Sequence, residues 1–268
     1  MGGRLQGMAR HMNDMIISKL KEIERNHTVK ILYAIEAGSR SQGVSTPDSD
    51  FDVRFIYMHE KDWYLSLDQK KDTIELQEDK LDISGWELAK ALRLLRKSNI
   101  SLSEWLQSKI VYQEVPNFAQ ELLQLYKSAF NAKTAFYHHL QLAKKNWLAY
   151  ERKQKNPKIY YYSLKSILAC NWIYQWKQMP PNDILQLVEN ADIPAELLME
   201  VNLLIKQKKS GTNQDLELNN LRKFMDDELV QLQSVGHGMS ISISNEREIT
   251  LSLDSFFRKM LNLYDCQQ

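Results

Sequence analysis

EAGSRSQGVSTPDSDFDVR, residues 36–54, is the most informative segment of the chain. A β-branched run, VKILYAI at 29–35, leads into it, and an alternating run, FDVRFIY at 51–57, completes it. The two patterns predict two strands joined by a small, polar turn or helix start at 38–44. Along the second strand, alternation puts the apolar side chains on one face and Asp52 with Arg54 on the other.

Two acidic residues stand at the start of the second predicted strand. Asp50 and Asp52 are two positions apart, so both carboxylates point the same way. Carboxylates held side by side repel each other unless a cation neutralises them, and a hard divalent ion such as Mg²⁺ or Mn²⁺ suits oxygen ligands. Gly38 and Ser39, at the end of the first strand, offer backbone N–H groups and a hydroxyl to a phosphate. Each pair alone is common in turns and solvated strands, but together they indicate a metal–triphosphate site.

The remainder of the first half mixes strand and helix patterns. Residues 71–76 and 80–83 predict two weaker strands that form a hairpin, and 86–97 predicts an amphipathic helix with Ser84 as its N-cap. From Pro116 onward the pattern is almost entirely helical. The predicted helices are 117–151, 158–179, 182–189, 194–208, 214–234 and 251–263, with 13–24 near the N-terminus; 240–244 (SISIS) predicts a short strand or a loop.

This division predicts an α+β protein. We expect an N-terminal mixed sheet with helices over residues 1–115 and an all-α domain over residues 116–268. The length of 268 residues is enough for a sizeable core.

Composition narrows the class of protein. The 35 basic and 34 acidic residues leave a formal net charge of +1, which does not indicate a globally basic nucleic-acid binder. Two cysteines, Cys170 and Cys266, are too few for a disulfide scaffold, so a cytoplasmic setting is expected. No apolar run reaches the ~18 residues that a membrane helix needs, and residues 1–15 lack the apolar stretch of a signal peptide.

The segment EAGSR…SDFDVRFIY resembles the DNA polymerase β-like nucleotidyltransferase superfamily, whose signature is Gly-Ser followed by Asp-x-Asp. It is most similar to the RlaP/YcgL-type branch of bacterial nucleotidyltransferases, some of which are associated with RNA-repair ligases. Residues 98–112 (SNISLSEWLQSKIVY) also follow that branch's pattern, with Ile100 and Lys109 where prolines are expected.

The resemblance implies a polymerase-β-like palm and a third carboxylate on another strand. Asp82 fits the family layout, because it precedes Ser84 and lies between two apolar residues; Glu75 is the alternative. Asp50, Asp52 and Asp82 would then hold two Mg²⁺ or Mn²⁺ ions for transfer of a nucleoside monophosphate from a triphosphate to a hydroxyl, with release of pyrophosphate.

Phosphate contacts are expected from the turn after the first strand, from Arg54 and from a basic helical segment. Gly38, Ser39 and Arg40 would bind the leaving phosphates. Arg54 would either pair with Glu36 or reach a phosphate.

A basic, aromatic-rich segment lies between residues 144 and 177. Its basic residues are Lys144, Lys145, Arg152, Lys153, Lys155, Lys158, Lys165 and Lys177, against the single acid Glu151. Lys158, Tyr161 and Lys165 stand at i, i+3 and i+7, on one helical face. We expect this face to contact the triphosphate or a nucleic-acid acceptor.

Two other functions stay open at this point. The chain could be a non-catalytic or regulatory relative that binds a nucleotide, or a helical module that binds nucleic acid or protein and carries the acid pair by chance. For an enzyme, an RNA end, a tRNA, a protein side chain and a small hydroxylated molecule are all acceptable acceptors.

Overall fold

The structure is a computed structural model that describes residues 2–153, 156–212, 218–239 and 246–265, with the side chains of 11–151, 156–212, 218–239 and 246–263. Five strands and twelve helices are present in these ranges. The strands are β1 (Val29–Glu36), β2 (Phe51–His59), β3 (Thr73–Glu78), β4 (Leu81–Glu87) and β5 (Val111–Glu114). The helices are α1 (Gly2–His27), α2 (Gly38–Ser41), α3 (Lys61–Tyr64), α4 (Leu88–Arg96), α5 (Ile100–Leu106), α6 (Phe118–Ala129), α7 (Ala132–Lys153), α8 (Pro157–Trp176), α9 (Ile184–Glu189), α10 (Ala195–Ser210), α11 (Asn219–His237) and α12 (Glu246–Asp265).

All five strands form one mixed sheet in the order β3-β4-β2-β1-β5. β1 pairs antiparallel with both β2 and β5, β3 and β4 form the predicted antiparallel hairpin, and β2 runs parallel to β4. The parallel pairing sets Asp52 directly opposite Asp82. The α+β class and the mixed N-terminal sheet are therefore confirmed.

The two faces of β2 pack against different helices, whereas its alternating pattern predicts one apolar face and one face that carries Asp52 and Arg54. Val53, Phe55 and Tyr57 are buried in a cluster with residues of α1. Ile56 and Met58 are buried on the other face, against residues of α4, α5, α6 and α12. Asp52 and Arg54 lie on this second face as well, near the first residue of β2, where their side chains are only partly buried.

Two expected helix limits are wrong. Ser84 lies inside β4, which continues to Glu87 because its pairing with β2 extends to Tyr57. Glu87 is the N-cap of α4, and its carboxylate accepts the N–H groups of Ala89 and Lys90 at 2.7 and 3.1 Å.

The expected helix over 117–151 is also two helices, α6 and α7. The break falls at Phe130, which has an extended backbone. The N–H of Asn131 then donates to the hydroxyl of Ser98, and the side chain of Asn131 accepts the N–H of Thr134. These contacts hold the residue that precedes α7, and no glycine or proline in the sequence marks the break.

The second core lies among the helices that follow. It is built mainly from α7, α8, α10 and α11, and it includes one residue from the sheet half, Val44, in the loop between α2 and β2. α6 and α12 instead bury apolar residues against the sheet. The domain boundary at residue 115 stays a prediction. α6 and α12 follow this boundary in the sequence, but they pack against the N-terminal sheet.

Polar contacts also join the two halves. Lys165 of α8 pairs with Glu104 of α5 at 2.9 Å. Gln107 donates to the carbonyl of Pro180 and accepts the N–H of Asn182.

Some expectations fall on residues outside the described parts. They are the short strand at 240–244, Cys266, Lys155 and the side chains of Arg152 and Lys153. Within the described residues, none of the helices combines the length and the hydropathy needed to cross a membrane.

Candidate active site

Gly38 lets the first two strands come together at the start of α2. Its φ of +57° lies in the left-handed region, and a Cβ placed on it would be only 2.0 Å from Oδ2 of Asp52. The N–H of Ala37 donates to the carbonyl of Asp52 at 2.7 Å. Glycine is therefore needed here both for its backbone conformation and for the space that the Asp52 carboxylate fills.

The carboxylate of Glu36 holds the backbone of Asp52 in place. Its Oε1 accepts the N–H of Asp52 at 3.0 Å, and its Oε2 accepts the hydroxyl of Tyr112 at 2.5 Å. Burial raises the pKa of Glu36, although the hydrogen bonds from Tyr112 and Asp52 oppose the shift. Glu36 is thus occupied in positioning Asp52, and it is not the partner of Arg54.

Arg40 fixes the segment that carries Asp50. Its Nε donates to the carbonyl of Asp50 at 3.0 Å and its Nη2 to the carbonyl of Ser49 at 2.7 Å. Its guanidinium also lies 3.7 Å from the centre of the Phe51 ring. These contacts hold Asp50 just before the first residue of β2, and they engage the guanidinium that was expected to bind phosphate.

Asp82 is the acidic residue that the sheet brings beside Asp52. The two are register partners on adjacent parallel strands, so their side chains leave the same face. Arg54 bridges them, with Nη2 at 2.8 Å from Oδ2 of Asp82 and 3.4 Å from Oδ1 of Asp52. Glu75 is exposed on edge strand β3, opposite Ser84, and is one strand further from Asp52.

The electrostatics of Asp52 reflect this crowding. Burial is the main reason that the pKa of Asp52 is raised, and the carboxylates of Asp82 and Asp50 raise it further. The positive charges of Arg54 and Lys158 act in the opposite direction on the pKa.

A cleft of about 370 Å³ opens between the acid pair and the helical half. Polar residues make up most of its wall. The lining residues are Ser39, Thr46, Asp48, Ser49, Asp50, Asp52, Asn156, Pro157, Lys158, Gln207, Lys208, Gly211 and Thr212. Acidic residues from the palm therefore face lysines from α8 and α10 across one space.

The two lysines of this cleft differ in their surroundings. Lys158 is exposed, whereas Lys208 is buried and its Nζ donates to the carbonyl of Val44 at 3.1 Å. Burial lowers the pKa of Lys208, and the charge of Lys158 lowers it further. Among the described side chains, no carboxylate lies within salt-bridge distance of Lys208.

Of the predicted phosphate-binding residues, Ser39 and Lys158 line this cleft. Tyr161, with no exposed surface, is buried in the helical core. Lys165 is buried as well, with its Nζ bound to the carboxylate of Glu104 and the side-chain oxygen of Asn182. The structure does not bring Tyr161 and Lys165 to the cleft, because their shared helical face packs inward.

Lys208 is the residue of the cleft that sequence reasoning missed. The apolar residues Leu197, Val201 and Leu204 form the buried stripe of α10, and Lys208 continues it at the next i+4 position. A lysine in an apolar stripe is unusual enough to have been a signal. The contact that holds this lysine in the cleft is with Val44, which is far away in the sequence, so the local pattern could not predict it.

The residues present suit one divalent cation better than a cage of three acids. Asp50 and Asp52 line the same cleft, and two protein carboxylates are the usual number for Mg²⁺ that is bound together with phosphates. Within the described residues, no three Asp, Glu, His or Cys side chains form a group that could hold a metal ion. The guanidinium of Arg54 stands between Asp52 and Asp82.

A sequence profile of the RlaP family, the "RNA repair pathway DNA polymerase beta family", matches residues 12–259. The chain belongs to the RlaP family. It is 39% identical over 255 residues to YcgL of Bacillus subtilis (strain 168), which covers 94% of this chain and 96% of YcgL. The resemblance noted in the sequence is thereby confirmed.

A solved structure was also found similar to this chain. It is a nucleotidyltransferase-like protein from Exiguobacterium sibiricum 255-15, at a TM-score of 0.30 and 11% identity over 83% of this chain and 75% of the other. A TM-score this low adds nothing to the RlaP assignment, which the sequence matches carry.

Replacement of Gly38 tests the close approach to Asp52. We expect Gly38→Ala to lower the free energy of unfolding by roughly 3 kcal/mol, because it combines backbone strain with displacement of the Asp52 carboxylate. Gly43→Ala is the matched control: φ there is +67° and no atom lies within 4 Å of its Cβ, so only the strain of roughly 1 kcal/mol remains. Urea unfolding measures both, and equal losses would contradict this account.

Removal of the Asp52 charge should stabilise the protein in the absence of metal. Since the pKa of Asp52 is raised on folding, the ionised form destabilises the fold at neutral pH, and this cost disappears as the pH falls below the unfolded value of about 3.9. We expect Asp52→Asn to have the higher Tm at pH 7, by an amount that shrinks at pH 4. Asp68→Asn, at an exposed position, controls for the chemical change. A difference that is constant across pH would argue against the assignment.

Proposed function

We propose that this protein transfers a nucleoside monophosphate from a nucleoside triphosphate to a hydroxyl group and releases pyrophosphate. The observation that carries the proposal is the arrangement of charge in one cleft, where Asp50 and Asp52 face Lys158 and Lys208. A volume of about 370 Å³ lies within the range of small-molecule sites. Membership of a polymerase β-like family supports the same reaction.

The lysines and the turn at Ser39 bind the triphosphate. Lys158 and Lys208 approach it from the helical half, and Ser39 from the palm. Lys208 is held in place by Val44 and needs no reorganisation to meet an anion. A preformed positive site of this kind orients the leaving phosphates before the reaction.

Asp50 and Asp52 hold the divalent cation, Mg²⁺ or Mn²⁺. When bound, such an ion supplies Lewis-acid neutralisation of the phosphate charge. Gly38, Glu36 and Arg40 act through these two acids, because they fix the backbone on either side of them.

Asp82 accepts the proton of the acceptor hydroxyl. The hydroxyl oxygen forms a bond to the α-phosphorus, the bond between that phosphorus and the bridging oxygen breaks, and pyrophosphate leaves with the electron pair. Asp82 is placed for this role by its register with Asp52. Its side chain is 44% exposed, so an acceptor can reach it from solvent.

The acceptor that we favour is an RNA end, because the family is described by its part in RNA repair. We place the activity in the cytoplasm, where the buried, unpaired thiol of Cys170 stays reduced.

Two labels on the triphosphate test the reaction directly. The protein is incubated with Mg²⁺ and either α- or γ-labelled nucleoside triphosphate, in the presence of RNA fragments, tRNA, protein or small hydroxylated metabolites. Nucleotidyl transfer predicts that label from the α position enters one class of acceptor, whereas label from the γ position leaves as pyrophosphate. Label entering from the γ position only would mean phosphoryl transfer and would exclude the proposal.

Variants of two acids in this assay identify the residue that serves the acceptor. We expect Asp82→Asn to reduce transfer by roughly three orders of magnitude or more, because the hydroxyl loses its proton acceptor, while triphosphate affinity changes little. Glu75→Gln, on the neighbouring strand, is the matched control and should retain activity. The opposite pattern would move this role to Glu75.

Two rival functions give different results. A non-catalytic relative would bind Mg²⁺ and triphosphate with a rise in Tm but would transfer no label. A helical binding module would give no rise in Tm with triphosphate at any Mg²⁺ concentration.

Loss of the buried lysine should weaken triphosphate binding. Lys208→Met keeps the aliphatic stem and removes the charge, and we expect the Kd to rise roughly 10- to 100-fold, as for a lost charge-assisted hydrogen bond. Lys158→Ala should cost less, because that side chain is exposed.

The matched control is Lys209→Ala, one residue further along α10 and exposed. Calorimetry over a salt series measures all three variants, and the affinity of Lys208→Met should depend less on salt than that of the natural protein. If Lys208→Met and Lys209→Ala bind alike, Lys208 has no part in the site.

A further inference from the structure

Arg54 is fixed between the acidic residues of two adjacent strands. Its Nη1 donates to the backbone carbonyls of Val53 and Asp82 at 3.0 and 2.9 Å. Its Nη2 is 2.8 Å from Oδ2 of Asp82 and 3.4 Å from Oδ1 of Asp52. The two backbone bonds distinguish this cation from an ordinary surface ion pair, because the sheet itself holds the guanidinium in place.

The sheet register creates room for this arrangement. Arg54 lies opposite Ser84, a short side chain, and two residues after Asp52 on the same face of β2. The Arg54 side chain is only 19% exposed. A partly buried guanidinium with backbone and carboxylate partners loses little further freedom when a ligand arrives.

A guanidinium at this point excludes a metal ion from it. A cation that bridged Asp52 and Asp82 would need the space between their carboxylates, and Nη2 of Arg54 is within 3.4 Å of both. Arginine keeps its charge at every pH that the protein meets, so the position stays filled by a cation. Asp50, which Arg54 does not contact through any described hydrogen bond or ion pair, remains open to the cleft.

We propose that Arg54 is a built-in cation that takes the place of a second divalent ion between Asp52 and Asp82. Resting on the proposed function, this inference assigns one divalent ion to Asp50 and Asp52, and leaves Asp82 as the acceptor of a proton and not a metal ligand. It replaces the expectation, drawn from the resemblance, that Asp82 helps to hold a second metal.

Binding of Mn²⁺ to the full chain, followed by the loss of its free electron paramagnetic resonance signal, tests this role without any catalytic assay. We expect one Mn²⁺ in all per chain in the complex of the natural protein with one non-hydrolysable triphosphate, because Asp50, Asp52 and the phosphates would hold the same ion. Arg54→Gln should bind one more Mn²⁺, because Asp52 and Asp82 have lost their counter-charge. Arg54→Lys, which keeps a positive charge, should not gain the ion.

Two double variants identify the residues that bind the additional Mn²⁺. Arg54→Gln/Asp82→Asn should lose the additional Mn²⁺, whereas Arg54→Gln/Glu75→Gln should keep it. Circular dichroism confirms that each variant is folded. Two ions in the natural protein, or an unchanged number in Arg54→Gln, would overturn the inference.

The same titration separates this inference from the proposed function. A natural protein that binds no Mn²⁺ would contradict the metal site at Asp50 and Asp52. The counter-ion role of Arg54 would then still require Arg54→Gln to gain one ion, and the absence of that gain would refute it as well.

Discussion

The close approach of the Asp52 carboxylate to Gly38 is the constraint on which the site depends. Oδ2 of Asp52 fills the space of a side chain at residue 38, so the end of β1 and the start of β2 can meet only with glycine there. Glu36 and Arg40, on either side of Gly38 in the sequence, each reach across to the backbone of the acid-bearing segment. A nineteen-residue stretch thus folds on itself, and the contacts that β1 and β2 make simultaneously constrain the spacing of Glu36, Gly38, Arg40 and Asp52 within it.

The helical half brings to the cleft a buried positive charge, Lys208, that has no carboxylate partner among the described side chains. Val44 inserts its side chain into the helical core while its carbonyl receives Lys208, so one loop residue joins the two halves by packing and by hydrogen bonding. The same loop leads from α2 to Asp50. Any movement of α10 relative to the sheet would therefore change the distance between the lysine and the acids, so the phosphate binding that we propose would depend on the position of this loop.

The local sequence pattern predicted the strands of the N-terminal half well, but it predicted poorly which residues of the helical half reach the cleft. The reason is that such contacts depend on packing between distant segments. Alternation along β2 correctly puts Asp52 and Arg54 on the face opposite Val53, because a strand has only two faces. It does not show that the other end of the Asp52 face, at Ile56 and Met58, is buried as well. The spacing of Lys158, Tyr161 and Lys165 correctly puts them on one side of α8, yet spacing does not reveal what that side packs against. In the fold, Tyr161 enters the core and Lys165 binds Glu104. The sequence pattern did not predict a role for Lys208 because its hydrogen-bond partner, Val44, is 164 residues away.

The balance of charge in the site explains why a metal and a triphosphate should bind together. Asp50, Asp52 and Asp82 are set against Arg54, Lys158 and Lys208, but Arg54 is committed to the acids and only the lysines face the cleft. A triphosphate alone would be attracted by the lysines and repelled by Asp50 and Asp52 in the same space. A divalent ion alone would meet the acids but also the two lysines. In the proposed reaction, each ligand would remove the repulsion that opposes the other. Their affinities would then be coupled through the electrostatics of the cleft, without a change of conformation.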